Sequence, residues 1–211
     1  MNKLLVATTN PAKLAEYRLL LREFDLISIS LRDAGIDERA PEDAPTFADN
    51  ARTKAAFYFA HCGLPTLADD GGLEVDALGG APGVLSHRWL GDMAADDRVL
   101  AEEVVRRMQG IERSRRTARL RAAGALIYAN QDGMHEKLAD AALEGIIAER
   151  CYPEVRSGFP YRSVLYLPDR GCYVAEISDE EAAQLSQRRV IVERLGDDLK
   201  RLSLFAGAEK R

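Results

Sequence analysis

Two carboxylates stand side by side at Asp69-Asp70, at the end of an apolar run and followed by Gly71-Gly72. Adjacent carboxylates repel one another, so a buried or cleft-facing pair needs a cation. For oxygen donors the common one is Mg²⁺ bridging to a phosphate. Glu42, in an acidic loop upstream, could add a third oxygen ligand. The plainer alternative is an acidic β-turn. A second group lies near the N-terminus, where Thr8-Thr9-Asn10-Pro11 leads into Lys13. A strand feeding a helix N-terminus offers unpaired amides and a positive dipole end. Short hydroxyl and amide side chains, with a lysine one turn in, would complete a phosphate cradle. The segment is neither a Walker A loop nor GxGxxG, and neither occurs elsewhere. Taken alone, an ordinary capped helix with a surface lysine is the more economical reading. A third group is Thr46, Asn50 and Lys54, spaced by four and therefore on one helix face. Such a hydroxyl–amide–ammonium stripe can line a triphosphate path, or it can be a solvated face.

The elements that must position these groups follow from periodicity. Lys3 to Thr8 reads as a short buried strand, and Asn10-Pro11 as N-cap and first helical position. Leu14, Tyr17, Leu20, Leu21 and Phe24 then recur at helical spacing, giving a helix to about Glu23. Leu26 to Ser30 reads as a strand, and the stretch from Leu31 to Pro45, rich in acids, Gly and Pro, as a loop. Thr46 to Cys62 is a helix ended by Gly63-Leu64-Pro65. Thr66 to Val75 reads as two short strands around Asp69-Asp70-Gly71-Gly72, and Leu78 to Gly83 as a turn-forming loop. Asp96 to Gln109 is an amphipathic helix stopped by Gly110. Thr117 to Tyr128 and Met134 to Ile147 are long strands joined by a turn at Asn130-Gln131-Asp132-Gly133. Tyr161 to Leu167 and Tyr173 to Ile177 are shorter strands. Ser178-x-x-Glu181 is a capping-box pattern opening helical structure to about Leu204, and Ala206 to Arg211 forms a short frayed tail. Strands that first alternate with helices and then run hairpin-like imply a mixed sheet with helices on its faces, not a pure doubly wound sheet.

Composition narrows the function classes. The chain has 211 residues, 46% hydrophobic and 30% charged, which excludes a disordered chain, a collagenous fibre and a disulfide miniprotein. Lys plus Arg is 29 against 34 Asp plus Glu, a net charge of −5. Duplex nucleic acid wants a basic footprint, so such a partner is not expected, although locally gathered cations can still hold a small anion. No apolar run is long enough to span a membrane, and the short run Leu4 to Ala7 is no export signal. Cys62, Cys151 and Cys172 are odd in number and widely spaced, with no CxxC, which fits free thiols in a reducing cytoplasm. His61, His87 and His135 form no zinc-binding pattern.

Taken together, these pieces resemble the non-canonical purine NTP pyrophosphatases, the inosine/xanthosine triphosphatase family. Three blocks match in order: the first strand with Thr8, Asn10 and Lys13; the helix with Thr46-Phe47, Asn50-Ala51 and Lys54-Ala55; and Asp69 to Ser86 with its Val75-Asp76-Ala77-Leu78-Gly79-Gly80-Ala81-Pro82-Gly83 run. The resemblance is strongest over residues 3 to 89. It implies an α/β fold of two lobes around a long central mixed sheet flanked by helices, making one catalytic domain over residues 1–205, with a cleft between the lobes. It implies hydrolysis of nucleoside triphosphate to monophosphate and pyrophosphate, dependence on Mg²⁺ (Mn²⁺ being the other choice), and a homodimer. It places Thr8, Asn10, Lys13 and Lys54 on the phosphates, with Thr9 and Gly71 as further substrate-binding positions. Glu42 and Asp69 or Asp70 would hold the metal, and Asp70 would accept the proton of the attacking water.

The chain departs from the family pattern at several positions, chiefly on the base side. Thr9 and Gly71 replace a Gly and a Ser. The Gly-Phe-Gly-Tyr-Asp-Pro block reads Gly158-Phe159-Pro160-Tyr161-Arg162-Ser163, a lysine has become Cys172, and the Ser-His-Arg block is Ser186-Gln187-Arg188. Phe159, Tyr161, Gln187 and Arg188 are the residues left to meet a base, by stacking and by one cationic donor. A nucleotide-binding relative with altered base specificity or little turnover is the alternative reading. A purely structural or interaction role is a third, favoured if no nucleoside triphosphate binds.

Overall fold

The computed structural model describes residues 2–91 and 96–204, so the expected tail from Ala206 lies outside the described residues. Leu4, Leu5, Val6 and Ala7 are almost fully buried, the continuous apolar run of a central parallel strand. This strand, β1 (Asn2–Val6), feeds α1 (Pro11–Leu20), capped by Asn10 with Pro11 in the first turn as expected. A single 3₁₀ turn, Leu21–Glu23, ends that helix. β2 (Leu26–Ile29) returns parallel to β1, with Asn2 opposite Leu26. α2 (Phe47–Cys62) is capped by Thr46 and stopped by Gly63 at φ +65°, where a side chain would be strained. β3 (Thr66–Val75) lies on the other side of β1, also parallel, with Leu5 opposite Thr66.

β3 is one continuous ten-residue strand, where the sequence suggested two strands around a turn. Neither Gly71 nor Gly72 takes a left-handed φ. Gly72 serves close approach instead. A Cβ there would stand 1.8 Å from the Ser86 Oγ and 2.7 Å from the Gly83 carbonyl oxygen. Ser86 accepts from the Leu73 amide and donates to Gly83, so it has no room to retreat. Gly72→Ala therefore overpacks the strand, and the expected loss in urea or thermal unfolding is about 2–3 kcal/mol. A change under about 0.5 kcal/mol would show that this contact is not tight.

α3 (Asp97–Arg107) is capped by Asp96 and leads to β4 (Thr117–Asn130). Two residues, Gln131 and Asp132, join β4 to β5 (Gly133–Ile147), the long hairpin anticipated from the turn residues. β6 (Leu165–Leu167) and β7 (Cys172–Tyr173) add antiparallel strands, both shorter than the sequence suggested. Gly158 at φ +81° and Pro160 turn the chain into a 3₁₀ helix over Pro160–Ser163. Val174–Glu176 is likewise a 3₁₀ turn, its start held by the Glu176 carboxylate accepting from the Tyr173 amide. The C-terminal helical stretch is three pieces: α4 (Asp179–Leu185), α5 (Gln187–Arg194) and α6 (Gly196–Leu204). Ser178 does cap α4 through the Glu181 amide, but the Glu181 carboxylate pairs with Arg170.

The seven strands hydrogen-bond in the order β2-β1-β3-β4-β5-β6-β7, a mixed sheet flanked by helices. The chain divides into two compact units, each assembled from discontinuous segments. One comprises the chain up to Asp70, Ala122–Ala141 and the segment from Arg188 on; its core centres on β1 with Tyr17, Leu20, Ala51, Leu67 and Leu126. The other comprises Gly71–Arg121 and Ala142–Gln187, with a core of Leu73, Leu100, Val104, Met108, Ile147 and Val164.

Candidate active site

Continuity of β3 decides what its two acids can do. Successive strand residues alternate in direction, so Asp69 and Asp70 take different hydrogen-bond partners, although the Lys54 charge acts on both. Asp69 meets α1 and α5. Its Oδ2 lies 3.2 Å from the Lys13 Nζ and accepts from the Arg188 Nε at 2.9 Å. Asp70 meets α2. Its Oδ2 accepts from the Asn50 Nδ2 at 2.9 Å, and its Oδ1 lies 3.5 Å from the Lys54 Nζ. Lys54 also reaches Glu42, at 3.4 Å. The loop that carries Glu42 is held to α2 by the Asn50 Oδ1, which accepts from the Ala44 amide at 3.0 Å, and by the Tyr58 hydroxyl, which accepts from the Ala40 amide.

Lys13 is thus no surface lysine, and Asn50 and Lys54 are no solvated stripe: all three are buried. Thr46 alone of its stripe is exposed, spent on capping α2 through the Asp49 amide. Burial by itself would raise the Asp69 pKa. Lys13 and Arg188 overcome that and hold the carboxyl well below the usual carboxylate range. Burial lowers the Lys13 pKa, with Asp69 offsetting it in part. For Lys54 burial is again the largest single effect and lowers the pKa, but Asp70, Glu42 and Asp69 together outweigh it, and the pKa is raised.

At the start of α1 the Asn10 Oδ1 accepts from the Ala12 and Lys13 amides, and the Asn10 amide donates to the Thr8 Oγ1. A hydroxyl that accepts one bond keeps its own O–H to give, so Thr8 can still donate to an anion. Thr9 is exposed in the same turn, and Gly71 continues β3 directly after Asp70.

The residues expected to meet a base make contacts of their own. The Tyr161 hydroxyl donates to the Ser86 carbonyl at 2.6 Å, and burial raises its pKa well above the ordinary phenol value. Tyr161 is therefore part of a core. Arg162, also buried, lies with its guanidinium carbon 3.8 Å from the centre of the Phe159 ring. Gln187 is buried at the first position of α5. Arg188, expected as a base donor, meets Asp69 at 2.9 Å and Glu16 at 3.5 Å.

Two residues of the cluster were not assigned a role from the sequence. Asn50 was read only as part of a stripe, and Glu16 not at all. The available signal was that Glu16 follows Lys13 by three positions and precedes the buried Tyr17 and Leu20, so an acid sits inside the apolar stripe of α1.

The donor set is all oxygen: Asp69, Asp70 and Glu42. The Asp69 Oδ1 is buried and has no hydrogen-bond partner, which fits a place for a cation to be bound. Among the described residues no three His, Cys, Asp or Glu side chains converge as a ready metal cage. Mg²⁺ rarely asks for one, since it is usually held by one or two carboxylates and completed by substrate phosphates and water.

Residues 4–197 match the Ham1 family. The chain is 36% identical over 197 residues to a dITP/XTP pyrophosphatase of Geobacillus kaustophilus, covering 93% of this chain and 94% of that protein. It is 39% identical over 187 residues to a dITP/XTP pyrophosphatase of Thermus thermophilus, covering 88% and 86%. Among solved structures it is similar to a HAM1 protein from Coxiella burnetii, with a TM-score of 0.80 and 31% identity over 95% of this chain and all of that one (100%).

Proposed function

The chain belongs to the Ham1 family, and from that premise we propose that it is a nucleoside triphosphate pyrophosphohydrolase. It converts non-canonical purine triphosphates of the dITP and XTP class to monophosphate and pyrophosphate. The observation that supports this most is the split acid pair, each member held by its own buried lysine within one compact unit.

Asp70, fixed by Asn50 and Lys54, is the group that orients the attacking water and takes its proton. Lys13 and Lys54, with Thr8, Thr9, Asn10 and the backbone at Gly71, bind the polyphosphate and neutralise charge that develops as pyrophosphate leaves. A divalent cation, Mg²⁺ or Mn²⁺, would be held by Asp69, Asp70 and Glu42 and would supply further charge neutralisation on the phosphates. Lys13 and Arg188 keep Asp69 ionised and in one orientation. Phe159, Tyr161, Gln187 and Arg188 remain the residues assigned to the base side; because Tyr161 and Arg188 are already engaged, discrimination there is expected to be weak. We place the enzyme as a cytoplasmic homodimer. Its three cysteines are free thiols, and no helix among the described residues is long and apolar enough to cross a membrane.

The test is a panel of canonical and deaminated nucleoside triphosphates, with pyrophosphate and monophosphate quantified. Pyrophosphate release is expected with millimolar-range Mg²⁺, abolished by chelation and restored by added metal. The preference for ITP over ATP or GTP is expected to stay below about 100-fold in kcat/KM, since each missing base contact removes roughly tenfold. Full activity in excess chelator would contradict the metal assignment. Binding of triphosphates with no turnover on any member of the panel would favour the silent-binder alternative.

A further inference from the structure

Four charges are packed together in the unit that carries the acid pair, and only two of them have been assigned to phosphate or metal. Lys13 and Arg188 both approach the Asp69 Oδ2, at 3.2 and 2.9 Å. Arg188 also lies 3.5 Å from the Glu16 Oε2. Side-chain exposure is 4% for both Glu16 and Arg188, and nil for Asp69. The quartet holds two cations and two anions, so it is neutral as built. Tyr17 lies beside it; burial first, and the Asp69 charge second, push its phenol pKa well up.

Everything that grips Asp69 grips one oxygen. Its other oxygen, Oδ1, has no hydrogen-bond partner although it is buried. A guanidinium next to a carboxylate prefers a two-pronged contact with both oxygens. Here Arg188 meets the Asp69 Oδ2 through Nε, while its NH1 donates to the Glu16 Oε2 at 3.5 Å. Glu16 thus restrains Arg188 from closing over the Asp69 Oδ1.

We infer that Glu16 is a positioning residue that acts through Arg188 to keep the Asp69 Oδ1 open for the divalent cation. The inference rests on the metal-dependent reading above and adds to it a residue that touches neither substrate nor metal. Partners that orient a metal ligand from behind typically contribute 10- to 100-fold in metal affinity.

Glu16→Gln keeps the shape and removes the charge. It is expected to raise the Mg²⁺ concentration for half-maximal activity by about tenfold or more, a larger change than its loss in kcat at saturating metal. Titration of Mn²⁺ into the nucleotide-free protein, followed by calorimetry, is expected to show a matching loss of affinity. Glu16→Asp restores the charge and should recover part of both. Arg188→Lys removes the guanidinium that could close over the Asp69 Oδ1, so adding Glu16→Gln on that background is expected to change the metal titration little. A folded Glu16→Gln protein with an unchanged Mg²⁺ requirement and unchanged Mn²⁺ affinity would overturn the proposal. So would failure of both Glu16→Gln and Arg188→Lys to fold, since the quartet would then be structural only. A wild-type protein indifferent to metal would instead overturn the functional reading on which the proposal stands.

Discussion

Asp70→Asn is expected to lower kcat by about 10²-fold or more while the protein stays folded. The carboxylate can take a proton from water, and its two oxygens are already aimed by Asn50 and Lys54. An amide of the same shape cannot accept that proton. It also turns an NH₂ toward one of two donors, the Asn50 amide or the Lys54 ammonium. That mismatch should cost about 1–3 kcal/mol in stability, too little to account for the lost turnover. Binding of the triphosphate should survive, because Lys13 and the α1 N-terminus are untouched. Steady-state kinetics on the purified, folded variant measures both parts. Near-normal kcat would remove Asp70 from the role of base.

Asp69→Asn should have the largest effect on stability. Asp69 lies between the buried cations Lys13 and Arg188. Removing one partner of a buried ion pair leaves charge uncompensated and costs about 3–5 kcal/mol. Glu16 still faces Arg188, so the loss falls mainly on Lys13. The pH dependence has a definite sign. The folded pKa of Asp69 is depressed below its unfolded value of about 3.9. Its contribution is therefore complete above that value and is lost as pH falls toward the folded pKa. In metal-free protein the wild type should lose stability below about pH 4 more steeply than Asp69→Asn. Urea unfolding at neutral and acid pH measures this. A neutral-pH difference under about 1 kcal/mol would mean that the quartet is not a coupled ion-pair network.

Much of the phosphate-side site was legible because local chemistry dictated it. Asn10-Pro11 could only start a helix, and Asn10 caps α1. Thr46 and Gly63 likewise bracket α2. The acid pair was visible as an electrostatic anomaly, but its geometry was not. Two glycines read as a turn, whereas Gly72 is there to let Ser86 pack against an unbroken strand. That single point gives Asp69 and Asp70 their different hydrogen-bond partners. Glu16 and Arg188 were hidden for a related reason: they are 172 positions apart in sequence, and nothing local says that a helix acid will meet an arginine of another helix. The strands expected near Tyr161 and Tyr173 are present but short, because β-favouring residues beside them sit in 3₁₀ turns set by Gly158, Pro160 and the Glu176 cap. There tertiary context overrode propensity.

In the proposed reaction water attacks the α-phosphate and pyrophosphate is the leaving group. Hydrolysis of ITP in ¹⁸O-labelled water, with products resolved by mass spectrometry, tests it directly. The expected result is one labelled oxygen in the monophosphate and none in the pyrophosphate. Label in pyrophosphate, or release of labelled orthophosphate with a diphosphate left behind, would contradict it.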